Sequence, residues 1–279
     1  MIEMIRLSAL NVRVDEDSVA FRSAKPFRHI VVDDFLAPDF KEALVKAFPE
    51  PSWTKWNCGR AEQHAFQPKK LTCDNIAAIP VPLDRLVDEL NSGPFLTWLE
   101  KLTGIENLLA DPHLFGGGLH STGPGGLLVP HIDFHFGQNP LLHRRLNLLV
   151  YLNEGWQPDN CGALELWNQD KDCVEREILP EYGRVVIFQT DADSMHGFSK
   201  AVQGRFRNSI AMYYYTVQPP DRYSGDAATH WRKKEKEGRT LRVRGRLARF
   251  SARVAAGIGW RLTLMSHRLE SLAGRDFPR

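Results

Sequence analysis

The chain has 279 residues, 43% of them hydrophobic, and Lys plus Arg exceed Asp plus Glu by only two charges. Such a chain is long and apolar enough to bury a sizeable core, which excludes general disorder. Its four cysteines, Cys58, Cys73, Cys161 and Cys173, form neither a close metal-binding pair nor a dense disulfide framework, as expected in a reducing compartment.

The N-terminus mixes charges into its apolar residues and lacks the basic start, apolar block and cleavage site of a signal peptide. No stretch reaches membrane-spanning length, so the cytoplasm is the expected location. Residues 26–48 read as a short strand, a turn at Ala37 and Pro38, and an amphipathic helix with Phe40, Leu44 and Ala47 at helical spacing. A second helix is expected over residues 81–92, where Leu83, Leu86, Val87 and Leu90 share one face. A third, over residues 94–104, closes at Gly104, which can take the left-handed conformation of a helix cap.

Beyond Asp111 the texture changes to short runs of Val, Ile, Leu, Tyr and Phe separated by Gly, Pro and Asn. The expected strands are LFGGGLHS, LLVPHIDF, RLNLLVYLN, ALELWN, REILP, RVVIFQT, HGFSKAV and RNSIAMYYYTV, a density that matches sandwiches and jelly rolls. The expected organisation is a strand and helix cap over residues 1–110, a jelly-roll core over 111–220 and a basic helical extension over 221–279. That is an α+β fold, mainly β.

The extension is electrically distinct, with 15 Lys and Arg against 6 Asp and Glu in residues 221–279, whereas residues 1–220 hold 21 against 28. From Val243, the apolar residues Leu247, Phe250, Val254, Ile258, Leu262, Met265, Leu269 and Leu272 recur every three or four positions. They imply one long amphipathic helix, or a pair broken near Gly257 and Gly259. Its basic face is a solvated surface or a contact for an anionic partner. Docking on the catalytic domain or homodimerisation is favoured over contact with a membrane surface, and no specific nucleic-acid binding is expected.

His131 and Asp133 stand one residue apart, followed by His196 and, eleven residues later, by Arg207. Two imidazoles and a carboxylate on one face of an iron leave its other positions open, as in non-haem Fe(II) oxygenases. On a strand, His131, Asp133 and His135 can face one cavity, and only two of the three are needed. A set of three histidines would lose the carboxylate, so His135 or Gln189 is expected to lie toward the primary substrate. Along residues 145–153, alternation places Asn147, Leu149 and Tyr151 on one face, toward the pocket.

The context of these residues is RRLNLLVYLNEGWQPDNCGALELW, the strand RVVIF, the distal His196 and the segment GRFRNSI. With His-x-Asp, Tyr-Leu-Asn followed by Trp, Gly-x-Leu and Arg-x-Ser in this order, the chain resembles the prolyl 4-hydroxylase-like branch of the 2-oxoglutarate and Fe(II)-dependent dioxygenases, over roughly residues 26–217. The resemblance implies a double-stranded β-helix core in which His131, Asp133 and His196 ligate Fe(II). It further implies that Arg207 pairs with the distal carboxylate of 2-oxoglutarate, assisted by the Tyr151 hydroxyl. Arginine presents a planar fork to a carboxylate that lysine does not match. Arg205 shares the segment, and Arg207 is preferred because it completes Arg-x-Ser with Ser209, which also reaches toward the cosubstrate. Asn147 sits where a small polar group lines the cosubstrate, and His120 is a candidate for its proximal carboxylate, weighed against simple packing. Cys161 departs from the pattern by standing where the first of two glycines is common.

The activity so implied is hydroxylation of a C–H bond of an unidentified peptidyl residue or small metabolite. It consumes 2-oxoglutarate and O2, releases succinate and CO2, and uses Fe(II), with ascorbate as a further reductant. Asp133 occupies the place that related halogenases leave free for chloride, which favours hydroxylation. The rival readings are a jelly roll that binds a metal or ligand without oxidising anything, and a module that binds an anionic partner through its basic tail.

Overall fold

The protein is described from a computed structural model covering residues 3–58, 65–136, 141–220 and 229–232. It begins with two short helices, α1 (Leu7–Val12) and α2 (Val14–Ser23), followed by β1 (His29–Val32) and α3 (Lys41–Ala47). The α1 and α2 pair was not foreseen, although Val14, Ser18 and Phe21 do recur at helical spacing and are buried. The acidic run Asp15 to Asp17 interrupts the hydrophobic texture, yet it sits in the first turn of α2, where the helix dipole favours negative charge.

Next come β2 (Asn57–Cys58), at the sheet edge, and its neighbour β3 (Lys70–Cys73), and then α4 (Leu83–Leu90) and α5 (Gly93–Thr103). Both of these helices match their expected spans. The Ser92 hydroxyl caps α5 by accepting from the Phe95 amide at 3.4 Å, and Gly104 ends it at φ 70°.

The remaining strands are β4 (Leu109–Ala110), β5 (Gly118–Thr122), β6 (Leu128–Ile132), β7 (His143–Tyr151), β8 (Leu164–Trp167), β9 (Val174–Ile178), β10 (Val185–Gln189), β11 (His196–Phe198), β12 (Arg207–Thr216) and β13 (His230–Trp231). Each of the eight strands expected from pattern is present. The one expected over residues 196–202 stops at Phe198, because the Ser199 amide and hydroxyl both turn to the Glu165 carboxylate at 3.0 and 2.6 Å.

The strands form two antiparallel sheets, the two walls of a double-stranded β-helix. The major sheet runs β1-β10-β7-β12-β5-β3-β2, with β4 also on β12, and the minor sheet runs β13-β6-β11-β8-β9. One face of the major sheet carries Leu146, Leu148, Val150, Ile210, Met212 and Tyr214 into the main hydrophobic core, which the helices cover with Leu86, Phe95, Trp98 and Leu102. Side chains of this kind contribute roughly 1.5–3 kcal/mol each when fully buried. The Tyr214 hydroxyl donates to the Leu90 carbonyl at 3.0 Å, so this polar tip within the core is satisfied at the end of α4. The opposite face of the sheet is left for chemistry.

Compact contacts run from Met1 to Trp231 and separate that unit from Arg232–Arg279. The amphipathic stretch expected from Val243 lies outside the described residues.

The loop from β7 to β8 turns at Cys161, with φ 56° and ψ −153°, and at Gly162, with φ 65°. A side chain at such a positive φ stores roughly 1–3 kcal/mol of strain. Replacing Cys161 by glycine relieves that strain, less the entropy that glycine adds to the unfolded chain. Cys161→Gly is expected to raise unfolding stability by up to ~1 kcal/mol in urea titration, with Gly162→Ala lowering it.

Candidate active site

The two imidazoles meet because β6 and β11 are antiparallel neighbours in which His131 stands directly opposite His196. Asp133, just past the end of β6, projects to the same side as His131. Ligand atoms of His131, Asp133 and His196 all lie within 4.8 Å of one another, and all three residues are buried. Each histidine places Nδ1 2.9 Å from a backbone carbonyl, that of Val129 for His131 and that of Ser194 for His196. A carbonyl only accepts, so both rings carry their proton on Nδ1 and turn the Nε2 lone pair toward Asp133. The Nε2 atoms lie 3.3 and 3.5 Å from the carboxylate oxygens. Three lone-pair donors converging in a buried space fit a divalent cation, and their hardness suits Fe(II) better than a thiolate-seeking metal.

The protonation states favour the same use. Burial pushes His196 down to about 4, against the upward pull of Asp133, so its imidazole is neutral. Burial alone would raise the Asp133 carboxyl, yet the Arg144 guanidinium beside it holds it well below the usual carboxylate range. Arg144 lies 3.1 Å from Asp133 and is itself buried, stacked on the Tyr213 ring at 3.4 Å and over Phe134 at 4.9 Å. Asn147 closes this network by accepting from Arg144 Nε and donating to Asp133 Oδ2, each at 2.8 Å.

Strict alternation would put Arg144 and Asn147 on opposite faces of β7. The pairing with β12 slips between Tyr214 and Tyr215, which stand opposite Leu146 and Arg144 respectively, and the extra residue at Arg145 turns Arg144 back toward the cavity. Asn147, expected beside the cosubstrate, bonds instead through its side-chain amide to Asp133 and Arg144. Arg144 was not singled out at all, and no local pattern announces a bulge.

Arg207 opens β12 with its side chain buried over the Phe198 ring at 4.4 Å. Nε donates to the Gly162 carbonyl at 2.7 Å and Nη2 to the Tyr151 hydroxyl at 3.1 Å, leaving Nη1 without a hydrogen bond among the described residues. Burial raises the Tyr151 hydroxyl's pKa, against the field of Arg207, so it keeps its proton for a further acceptor. Gly162 allows this approach, since a Cβ there would stand 3.2 Å from Arg207 Cδ. Arg205 lies elsewhere, donating to the Gly155 carbonyl at 3.3 Å over the Trp156 ring.

Triad and Arg207 line one cavity of about 810 Å³, which also receives Asn147, Ser209 and His120. Ser209, His120 and Tyr151 stand in one rank across β12, β5 and β7. The His120 Nε2 is buried with no hydrogen-bond partner among the described residues, and burial together with the Lys70 charge pushes its pKa well down, so the ring is neutral. His135 and Gln189 are not among the lining residues. Lys70 and Trp231 do line the cavity, and neither was anticipated. Trp231 sits on β13 opposite His131, with its ring 4.7 Å from that imidazole and stacked on Phe66 at 4.7 Å. Both belong to short strands at or next to a sheet edge, whose placement is set by distant pairing rather than by local pattern.

Residues 117–215 match the family described as the 2OG-Fe(II) oxygenase superfamily. The chain is 24% identical over 216 residues to the mouse prolyl 3-hydroxylase OGFOD1, covering 70% of itself and 34% of that protein, so it spans about a third of the length of this relative. A Pseudomonas putida prolyl 4-hydroxylase has a similar fold, with a TM-score of 0.53, 18% identity and coverage of 73% of this chain and 98% of the other. So does a Trichoplax adhaerens prolyl hydroxylase solved with a peptide of the hypoxia inducible factor oxygen degradation domain, with a TM-score of 0.56, 17% identity and coverage of 75% and 91%. The matched segment begins just before β5 and ends within β12, so it contains all three converging ligands and Arg207. Residues 117–215, which carry this donor set, are thus similar to the 2OG-Fe(II) oxygenase superfamily.

Proposed function

We propose that this protein is a hydroxylase that couples decarboxylation of 2-oxoglutarate to insertion of one oxygen atom into a C–H bond of a primary substrate. The observation that carries the reading is the pairing, in one cavity, of a buried donor set (His131, Asp133, His196) with a buried guanidinium that keeps Nη1 free among the described residues. Iron bound by the triad, with 2-oxoglutarate and O2, would supply the oxidant, with succinate and CO2 as by-products.

The chain's own residues do the positioning. Arg207, held by Gly162 and Tyr151, offers a fixed fork to the distal carboxylate, and Ser209 and the Tyr151 hydroxyl add donors beside it. The neutral His120 ring leaves Nε2 open to a polar group of the cosubstrate. Arg144 and Asn147 keep Asp133 ionised and aimed, so that one carboxylate oxygen is bound within the protein while the other remains for the metal. The carboxylate also fills the position that a halide would need, which supports hydroxylation. Peptides containing proline are the first candidates as primary substrate, since the relatives named above are prolyl hydroxylases; small metabolites are the second.

The test is succinate formation from 2-oxoglutarate with Fe(II) and O2, with mass spectrometry for an added oxygen on candidate peptides. Absence of both turnover and 2-oxoglutarate binding would leave a non-catalytic jelly roll. Asp133→Ala and His196→Ala are each expected to abolish succinate formation and stoichiometric Co(II) binding, and wild-type values in either variant would refute the ligand set. Asn147→Ala is expected to weaken metal affinity by roughly 10–100-fold, read by competition with a chelating dye. Arg207→Met removes a charge-assisted pair worth ~1.5–3 kcal/mol, so the KM for 2-oxoglutarate should rise by roughly 10–100-fold. An unchanged KM would assign the carboxylate to another cation.

A further inference from the structure

The major sheet presents its cavity face as ranks of cross-strand partners. Lys70, Thr122 and Arg207 stand opposite one another on β3, β5 and β12, and Thr72, His120 and Ser209 form the next rank. Directly paired residues project to the same face, so Lys70 points into the cavity with Arg207, about 10 Å away between backbones. The two cations have different surroundings. Arg207 is buried and tied to Gly162 and Tyr151, whereas Lys70 is half-buried and its ammonium makes no hydrogen bond or ion pair among the described residues.

Lys70 also stands where the cavity opens. Of the lining residues, Asp133, Arg144, Asn147, Arg207 and Ser209 around the triad are buried, whereas Gln67, Lys70 and Thr72 at one end and Leu128 and Trp231 at another are partly exposed. Burial pushes the Lys70 ammonium down to about 8, with Asp133 pulling it up and Arg207 and Arg144 pressing it down. Among the described residues, no carboxylate is paired with it. Asp133 is committed to Arg144 and Asn147, and Asp74, roughly 13 Å further along an extended chain, accepts from the Asn57 amide at 2.7 Å.

A cation held in a cavity wall near other cations is costly until an anion arrives. Arg207 already serves the distal carboxylate of the cosubstrate. We propose that Lys70 is a separate anion-binding site at the cavity mouth, which receives a carboxylate or phosphate carried by the primary substrate; this rests on the hydroxylase reading and narrows its substrate class to acidic molecules or acidic peptides. The two sources of such an anion, cosubstrate and primary substrate, separate cleanly in a labelling experiment.

The full chain, loaded with Mn(II), is acetylated near neutral pH with an N-hydroxysuccinimide ester, and the modification of Lys70 is followed by mass spectrometry with the exposed Lys69 as internal control. Anion pairing raises an ammonium pKa, and a rise of about one unit makes the reactive free amine roughly tenfold scarcer. Saturating 2-oxoglutarate is expected to leave Lys70 labelling unchanged. Inorganic phosphate added on top should slow it by roughly tenfold relative to chloride at equal ionic strength, with Lys69 unaffected. Protection by 2-oxoglutarate alone would give Lys70 to the cosubstrate and overturn the proposal. So would a lack of protection by either anion, or an equal change at Lys69. Labelling needs no turnover, so a wild-type protein that forms no succinate would sink the hydroxylase reading without obscuring this result.

Discussion

Everything at this site depends on keeping one carboxylate ionised where water is scarce. Asp133 is buried, and an isolated carboxylate there would take up a proton rather than bear the desolvation cost. Arg144, equally buried, stands 3.1 Å away and makes the charge tolerable. Removing one member of such a pair commonly costs about 3–5 kcal/mol, because the other is stranded. The pair is therefore weak evidence of stability and strong evidence of purpose: an apolar pair would serve packing at least as well, but would hold no metal.

The constraint reaches outward through the two sheets. Arg144 can reach Asp133 only because the β7–β12 ladder slips near Tyr214, and its guanidinium is flattened between Tyr213 and Phe134. The other face of the same two strands belongs to the core under α4 and α5, so a shift of register would expose that core. Rigidity needed for chemistry is thus supplied by burial on the opposite face. Opposite, the minor sheet sets His131 against His196 across one ladder, and backbone carbonyls two residues before each ring select the tautomer. No side chain need be dedicated to orienting either imidazole.

Along the cavity the environment changes from buried and tied by two hydrogen bonds at Arg207 to partly exposed and without a hydrogen bond among the described residues at Lys70. The gradient suits two ligands that differ in how often they are exchanged for something new. A cosubstrate of fixed shape gains from a preset fork, whose hydrogen bonds are already oriented. A flexible ammonium near the opening tolerates anions of varied geometry, since it acts as a point charge rather than as a planar clamp.

Part of the convergence was legible in the chain, because spacing two residues apart on a strand holds His131 and Asp133 together wherever the strand goes. Local pattern was likewise enough for α4, α5 and the eight core strands, whose apolar periodicity is written within each segment. The roles of Arg144, Asn147 and Lys70 were decided only in three dimensions. A bulge turned the first toward Asp133, the second spends its amide on that same carboxylate, and the third reaches the cavity through a four-residue strand with almost no pattern of its own. Periodicity reports which face of an element is apolar; it carries no information about which distant strand will lie beside it, and these three residues take their meaning from their neighbours.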